Sequence, residues 1–251
     1  MTLLSAVIIT FNEERNILNC LESVKPVADE IVVVDSFSTD ETKAICSRYN
    51  VRFVEHTFEG YIEQKNFALS QASHTHVLSL DADECLSPEL QLSVLGVKSN
   101  WQKHGYFMNR LNNFCGKWIR HGGWYPDRKL RLFDRRRGQW GGNNPHDRVT
   151  MAPQSSIGFL HGNLLHYSAE TEQQYLKKME RYTQIAAEAL FLQKKSTHLV
   201  AVYAKTAVAF IRNYFLLLGF LDGHAGIQVC LMAARYNYLK YSKLLTLQRK
   251  K

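Results

Sequence analysis

Along the N-terminal part of the chain, short apolar runs alternate with mixed polar stretches, and several of the runs stop at acidic residues. Ala6-Val7-Ile8-Ile9-Thr10 is continuously apolar and β-branched, the pattern of a strand covered on both faces. It ends in Phe11-Asn12-Glu13-Glu14, after which Ile17, Leu18 and Leu21 mark one face of a helix. Glu30-Ile31-Val32-Val33-Val34-Asp35 repeats the arrangement, and Ser38-Thr39-Asp40 offers capping side chains for a helix carrying Ala44, Ile45 and Tyr49. Residues 51–54 read as a third strand, 64–71 as a helix, and His76-Val77-Leu78-Ser79-Leu80 as a fourth strand that stops at Asp81-Ala82-Asp83-Glu84. Strands and helices alternating at this spacing predict βαβ units and a sheet with parallel strands, hence the α/β class.

Farther on the pattern changes. Lys129-Leu130-Arg131-Leu132-Phe133 predicts one more strand, and from residue 175 the periodicity turns helical. Over 175–192 Leu176, Met179, Tyr182 and Ala186 form one stripe. Residues 199–221 are more apolar, but Lys205 and Arg212 interrupt them, which argues against a spanning helix. Phe210, Tyr214, Phe215, Leu217, Leu218 and Phe220 instead predict a face that dips into a bilayer interface. Gly219 to Gly223 breaks that helix, and 227–245 forms another with Tyr236, Tyr238, Lys240 and Lys243. Two regions follow: 1–168, an α/β catalytic domain, and 169–251, a helical, membrane-associating extension.

Length and composition narrow the class without changing it. A chain of 251 residues suits one large domain with an appendage, and five prolines leave little room for long linkers. Five cysteines (20, 46, 85, 115 and 230) are scattered and odd in number, with no Cys-x-x-Cys pair, so neither zinc nor a disulfide framework is expected. A reducing cytosolic compartment fits, and Met1-Thr2-Leu3-Leu4-Ser5 does not resemble a secretory signal. The net charge is +8, concentrated at 129–137 and at the end, Arg249-Lys250-Lys251, which points to an anionic partner: nucleic acid, a phospholipid surface or a phosphorylated substrate.

The candidate chemistry lies where the strands stop. In a parallel α/β sheet ligands bind beyond the carboxyl ends of the strands, so residues 10–13, Asp35, Asp81 and Asp83 are expected on one edge. Asp81 and Asp83 alternate on an extended segment, which would let both carboxylates face one Mg²⁺ or Mn²⁺ with positions left open for phosphate oxygens. No Gly-x-Gly-x-x-Gly and no Gly-x-x-x-x-Gly-Lys-Ser/Thr follows the first strand, so phosphates would be held by a metal and side chains.

Four motifs in order, Ala6-Val7-Ile8-Ile9-Thr10-Phe11-Asn12-Glu13, Val33-Val34-Asp35-Ser36-Phe37-Ser38-Thr39-Asp40-Glu41-Thr42, Gln64-Lys65-Asn66-Phe67-Ala68 and Leu80-Asp81-Ala82-Asp83-Glu84, resemble the family 2 glycosyltransferases, inverting enzymes of the GT-A fold. The resemblance implies a UDP-sugar donor and a divalent cation. It places Thr10, Phe11, Asn12 and Glu13 along the nucleotide pocket, Asp35 on the uridine, Lys65 near the nucleotide or its phosphates, Asp81 near donor sugar and ribose, and Asp83 on the metal with Asp81 beside it. An inverting transfer needs a carboxylate to take the acceptor proton. The candidates are Asp127, in Gly122-Gly123-Trp124-Tyr125-Pro126-Asp127, and Asp147, in Trp140-Gly141-Gly142-Asn143-Asn144-Pro145-His146-Asp147. Related sequences carry His-Glu where His146-Asp147 stands, a departure of one methylene, and Asp147 is favoured.

Trp124 and Tyr125 could stack on a sugar. Among Arg128, Arg131, Arg135, Arg136 and Arg137, Arg131 is the one expected to point inward towards phosphate. Residues 122–133 together with 219–223 resemble the subgroup that adds β-linked glucose to the inner-core heptose of lipopolysaccharide, which implies a lipid-linked acceptor and a peripheral place on the cytoplasmic face of the inner membrane. No nucleic-acid partner is expected. The competing readings are a sugar-nucleotide nucleotidyltransferase, whose Gly-rich first loop is absent here, and a non-catalytic basic module binding RNA or membrane.

Overall fold

The computed structural model describes residues 1–143, 146–169 and 171–249, so Asn144 and Pro145 of the Trp-Gly-Gly-Asn motif lie outside the described residues. The chain falls into two compact units, one of residues 1–110 and 127–166, the other of 111–126 and 167–251. The stretch 111–126 thus groups with the C-terminal helices rather than with the α/β part.

In the first unit β1 (Leu4–Thr10), β2 (Glu30–Asp35), β3 (Arg52–Glu55) and β4 (His76–Asp81) are parallel, with β1 between β2 and β4. Beyond β4 the sheet becomes mixed. β8 (Asp127–Asp134) pairs antiparallel with β4, and β6 (Gly105–Phe114), β11 (Ile157–Ala169) and β5 (Glu84–Leu86) complete the order β3-β2-β1-β4-β8-β6-β11-β5. β9 (Gly138–Asn143) and β10 (His146–Met151) form a separate antiparallel ribbon. This is the α/β class expected from the apolar runs, with a sheet that turns from parallel to mixed beyond β4.

Helices cover both faces because the strands are apolar on both. α1 (Ile17–Val24) and α4 (Pro88–Ser99) bury Ile17, Leu21, Leu90 and Val94 against Leu4, Ile8, Leu78 and Leu80. On the other face α3 (Tyr61–Gln71) sets Ala68 and Leu69 against Val7, Val32, Val77 and Trp140. Each fully buried aliphatic side chain of these layers contributes about 1.5–3 kcal/mol. Ser87 caps α4, accepting from the Leu90 amide at 3.3 Å, with Pro88 in the first turn. α2 (Thr42–Cys46) is shorter than the pattern predicts. It starts after Glu41, while Asp40 accepts from the amides of Thr42 and Glu14, and Tyr49 lies beyond its end.

The second unit holds β7 (Lys117–Ile119), paired with the last residues of β6, and the helices α5 (Glu172–Leu192), α6 (Leu199–Ile211) and α7 (Gly223–Arg249). α5 opens with a reciprocal cap between Thr171 and Gln174. Phe114, Ile119, Met179, Val229 and Cys230 form its core. A π-helical turn follows α6 and a short 3₁₀ turn precedes α7. The 18 residues Leu199–Leu216 have a mean hydropathy of 1.2 and only 11% of them are buried, so Lys205 and Arg212 do not keep this segment below what length and composition require of a spanning helix.

Candidate functional site

The register of the parallel strands brings the acidic strand ends together. Thr10 stands opposite Asp35 on β2, and Ile9 opposite Asp81 on β4, so residues 10–13, 35–40 and 81–84 share one edge of the sheet. On the β1/β2 side the two loops are stitched to each other. The Asn12 amide donates to Ser38 Oγ (2.7 Å), the Thr39 amide to Asn12 Oδ1 (2.8 Å) and the Glu13 amide to Thr42 Oγ1 (2.9 Å). Asn12 and Phe37 adopt left-handed backbone, with φ of 54° and 61°, and both Phe11 and Phe37 are more than half exposed. Asp35 is buried and accepts from the Ser38 amide at 2.7 Å and from its hydroxyl. Thr10 Oγ1 is buried with no hydrogen-bond partner among the described residues, a polar atom whose desolvation they leave uncompensated.

Beside it runs a ladder of alternating charge. Lys65 Nζ lies 2.7 Å from Asp147 Oδ2 and 2.9 Å from Asp81 Oδ1. Arg131 Nη2 reaches Asp81 at 3.2 Å and Glu84 at 2.7 Å; Arg110 links Glu84 at 3.3 Å to Asp127 at 2.8 Å; and Lys129 meets Asp127 at 3.0 Å. Trp140 underlies it, with Lys65 Nζ 4.3 Å and the Arg131 guanidinium 4.9 Å from its ring and its Nε1 donating to Ser79 Oγ at 3.1 Å. Burial alone would raise the Asp81 carboxyl, but Lys65 and Arg131 outweigh it and hold the group well below the usual carboxylate range. Asp127 is lowered in the same way, burial being overcome by Arg110 and Lys129. Arg131 is pushed further up by Glu84 and Asp81 despite its own burial.

Three consecutive residues of α3 assemble this region. Gln64 donates to Ser36 Oγ at 3.0 Å and lies 2.9 Å from His56 Nδ1; Lys65 enters the ladder; and Asn66 exchanges two hydrogen bonds with the Trp140 backbone, at 2.9 and 3.0 Å. The Gln-Lys-Asn motif therefore ties β2, the ladder and the β9–β10 ribbon to one helical turn.

The two carboxylates of Asp81-Ala82-Asp83 have different surroundings. Asp81 is engaged by Lys65 and Arg131, whereas Asp83 Oδ2 lies 3.3 Å from His166 Nε2, and no cluster of three or more metal-ligating side chains occurs among the described residues. The turn after β4 therefore replaces the simple alternation expected from the sequence. The pair Asp83 and His166 offers one carboxylate and one imidazole, which suits a divalent cation completing its coordination with phosphate oxygens. Asp81, already neutralised by two cations, suits such a role poorly.

Trp124 packs against Phe114 and Tyr175 in the core of the second unit, and Tyr125 belongs to that unit too. Arg135 donates to backbone carbonyls of His74 and Leu69, Arg136 pairs with Asp134, and Arg128 lies over Phe159. Arg131 is the arginine that turns inward, but towards carboxylates. Glu84, Arg110, Trp140 and His166 carry no role in the sequence reading. Glu84 stands in the acidic motif itself, where its complete burial could not be seen; Arg110 has no local signal; and His166 resembles any isolated histidine.

Residues 5–154 match the sequence profile of "Glycosyl transferase family 2". The lipopolysaccharide core biosynthesis glycosyltransferase LpsC of Rhizobium meliloti is 29% identical over 260 residues, covering 95% of this chain and 93% of its own. An uncharacterised glycosyltransferase of Rickettsia typhi is 28% identical over 264 residues, covering 100% of this chain and 89% of its own. Among solved structures, glucosyl-3-phosphoglycerate synthase from Mycobacterium tuberculosis with Mn²⁺, UDP and phosphoglyceric acid overlaps 45% of this chain and 44% of its own, at 22% identity and a TM-score of 0.38. With its motifs in register along one sheet edge and the profile covering more than half its length, the chain belongs to glycosyl transferase family 2.

Proposed function

We propose that the protein is a metal-dependent inverting hexosyltransferase that moves a hexose, glucose first among candidates, from a UDP-sugar to a lipopolysaccharide inner-core heptose or a similar lipid-linked glycan. The observation that carries this reading is the Asp147–Lys65–Asp81 bridge, which joins a candidate base to a donor-side carboxylate through one buried ammonium.

In the reaction Asp147 takes the proton of the acceptor hydroxyl as its oxygen attacks the anomeric carbon in line with the departing UDP. The bond to the diphosphate oxygen breaks, and the configuration inverts. Lys65 holds Asp147 in place, and Asp81, fixed as an anion, accepts from sugar or ribose hydroxyls. Arg110 and Lys129 hold the Asp127 carboxyl below the usual carboxylate range, which counts against it as the base. Thr10 Oγ1 and the exposed rings of Phe11 and Phe37 are available to a nucleoside, with Asn12, Glu13 and Asp35 shaping that loop. Asp83 and His166 would hold Mg²⁺ or Mn²⁺, which when bound supplies Lewis-acid stabilisation to the leaving diphosphate. Arg131 supports Asp81 rather than taking phosphate itself. The lipopolysaccharide-core relative supports an acceptor of the lipopolysaccharide core; an acceptor of that kind, lipid-linked, would place the work on the cytoplasmic face of the membrane.

The test is UDP release from a panel of UDP-hexoses, with and without Mn²⁺ and truncated lipopolysaccharide. Metal-dependent release stimulated by the acceptor is expected. Equal release in chelator, or none from any UDP-hexose, would overturn the reading. Asp83→Ala should lose the metal-dependent rate by about 100-fold, and an unchanged rate would remove Asp83 from the metal site.

A further inference from the structure

We infer that α6 and the turns after it form a docking face for an anionic lipid bilayer, seated at the interface of one leaflet. The inference extends the membrane-held acceptor proposed above. Vesicle binding, however, is measured without donor or acceptor, so either reading can fail while the other stands.

The face is apolar and outward. Val208, Ile211, Phe215, Leu216, Leu218 and Leu221 are exposed by 63, 51, 55, 73, 45 and 56%, a contiguous run of large side chains that water disfavours. It is also firmly built. A Cβ on Gly226 would stand 1.9 Å from the Gly219 carbonyl oxygen, and one on Gly219 would stand 2.5 Å from Cys230 Sγ, so the backbones of turn and helix touch. The Gly122 amide donates to the Leu217 carbonyl at 2.8 Å. Asp222 accepts from the amides of Arg120 (2.9 Å) and His121 (2.7 Å) and lies 2.8 Å from His121 Nδ1. The leucines on either side are therefore held outward by a fixed turn.

Charge identifies the occupant. Residues 189–251 contain ten of the chain's 31 lysines and arginines but one of its 23 acidic residues, and the preceding residues are close to neutral. That one acid is Asp222, turned inward with its side chain 10% exposed. An apolar face on a segment with ten basic residues and one inward-turned acid matches an anionic leaflet, where each basic residue near the surface adds about 1 kcal/mol. A second copy of the chain would bring like charge against like. The 18 helical residues Leu199–Leu216 rise about 27 Å, close to the roughly 30 Å hydrocarbon layer, so length alone does not decide between crossing and seating. Lys205 and Arg212, both exposed on this segment, favour a seat at the headgroups over a crossing.

The experiment is co-sedimentation of the whole protein with vesicles of phosphatidylcholine, alone or mixed with phosphatidylglycerol. Binding to the mixed vesicles should exceed binding to the neutral ones and weaken with salt, and a carbonate wash should release the protein. Leu216→Asp with Leu221→Asp should weaken binding about tenfold with UDP-sugar hydrolysis and helical content unchanged, and Lys194→Glu with Lys195→Glu should weaken binding to the mixed vesicles alone. Equal binding to both vesicles, none to either, resistance to carbonate, or a dimer that Leu216→Asp dissociates would overturn the inference.

Discussion

Lys65 shows how much can depend on one ammonium. It is nearly buried, touches Asp81 and Asp147, and rests over Trp140. Removing one partner of such a network leaves charge without compensation, so Lys65→Met should cost about 3–5 kcal/mol in unfolding free energy, read by denaturant titration. It should also alter the response to acid. A carboxyl held low in the folded state stabilises it above the unfolded pKa, near 4, and loses that contribution as pH falls through the folded value. Asp81 and Asp127 both behave this way, so the melting temperature should drop as pH falls below about 4, and less steeply in Lys65→Met. A profile identical to that of the unaltered protein would remove Lys65 from the control of Asp81. Glu84 is the complementary case. Fully buried between Arg131 and Arg110, it also accepts from the Asp81 amide at 3.2 Å. Glu84→Gln should therefore lower both stability and turnover, the latter by about tenfold or more, because the turn carrying Asp81 and Asp83 loses its anchor. Retained kinetics would leave Glu84 a purely structural residue.

At the scale of elements, the strands and most helices were legible in the sequence because apolar runs and their polar stops are local. Ala6 to Thr10, Glu30 to Asp35 and His76 to Asp81 needed no long-range information, and their parallel register then placed the acidic ends together. The ladder was not legible. It depends on α3, β8 and the β9–β10 ribbon meeting at Asp81, and nothing near Arg110 or His166 in the chain announces that encounter. The grouping of 111–126 with the helices was hidden for the same reason, since Phe114 and Trp124 find their partners on α5, some fifty residues later. Gly162 in β11 marks another long-range demand. Its φ is +92°, and a Cβ there would stand 2.3 Å from the Leu90 amide nitrogen, at the start of α4. Gly162→Ala should cost about 3 kcal/mol or more, well beyond the ordinary price of this exchange, as a thermal melt would show.

Across the molecule, family membership removes the nucleotidyltransferase and binding-module readings, and glycosyl transfer is what the chain does. The excess positive charge, which first suggested an anionic partner in general, resides largely in the C-terminal region, away from the near-neutral remainder. The inward arginine serves carboxylates, so binding of the donor diphosphate falls to the metal held by Asp83 and His166 in the proposed scheme. Inversion driven by Asp147 is the central claim, and the anomeric region of the proton NMR spectrum tests it most directly. With an α-linked UDP-glucose donor, the unaltered enzyme should yield a product with the large diaxial coupling of a β-linked hexose, and Asp147→Asn should yield none. A small coupling, marking an α-linked product, or undiminished β-product from Asp147→Asn would contradict it.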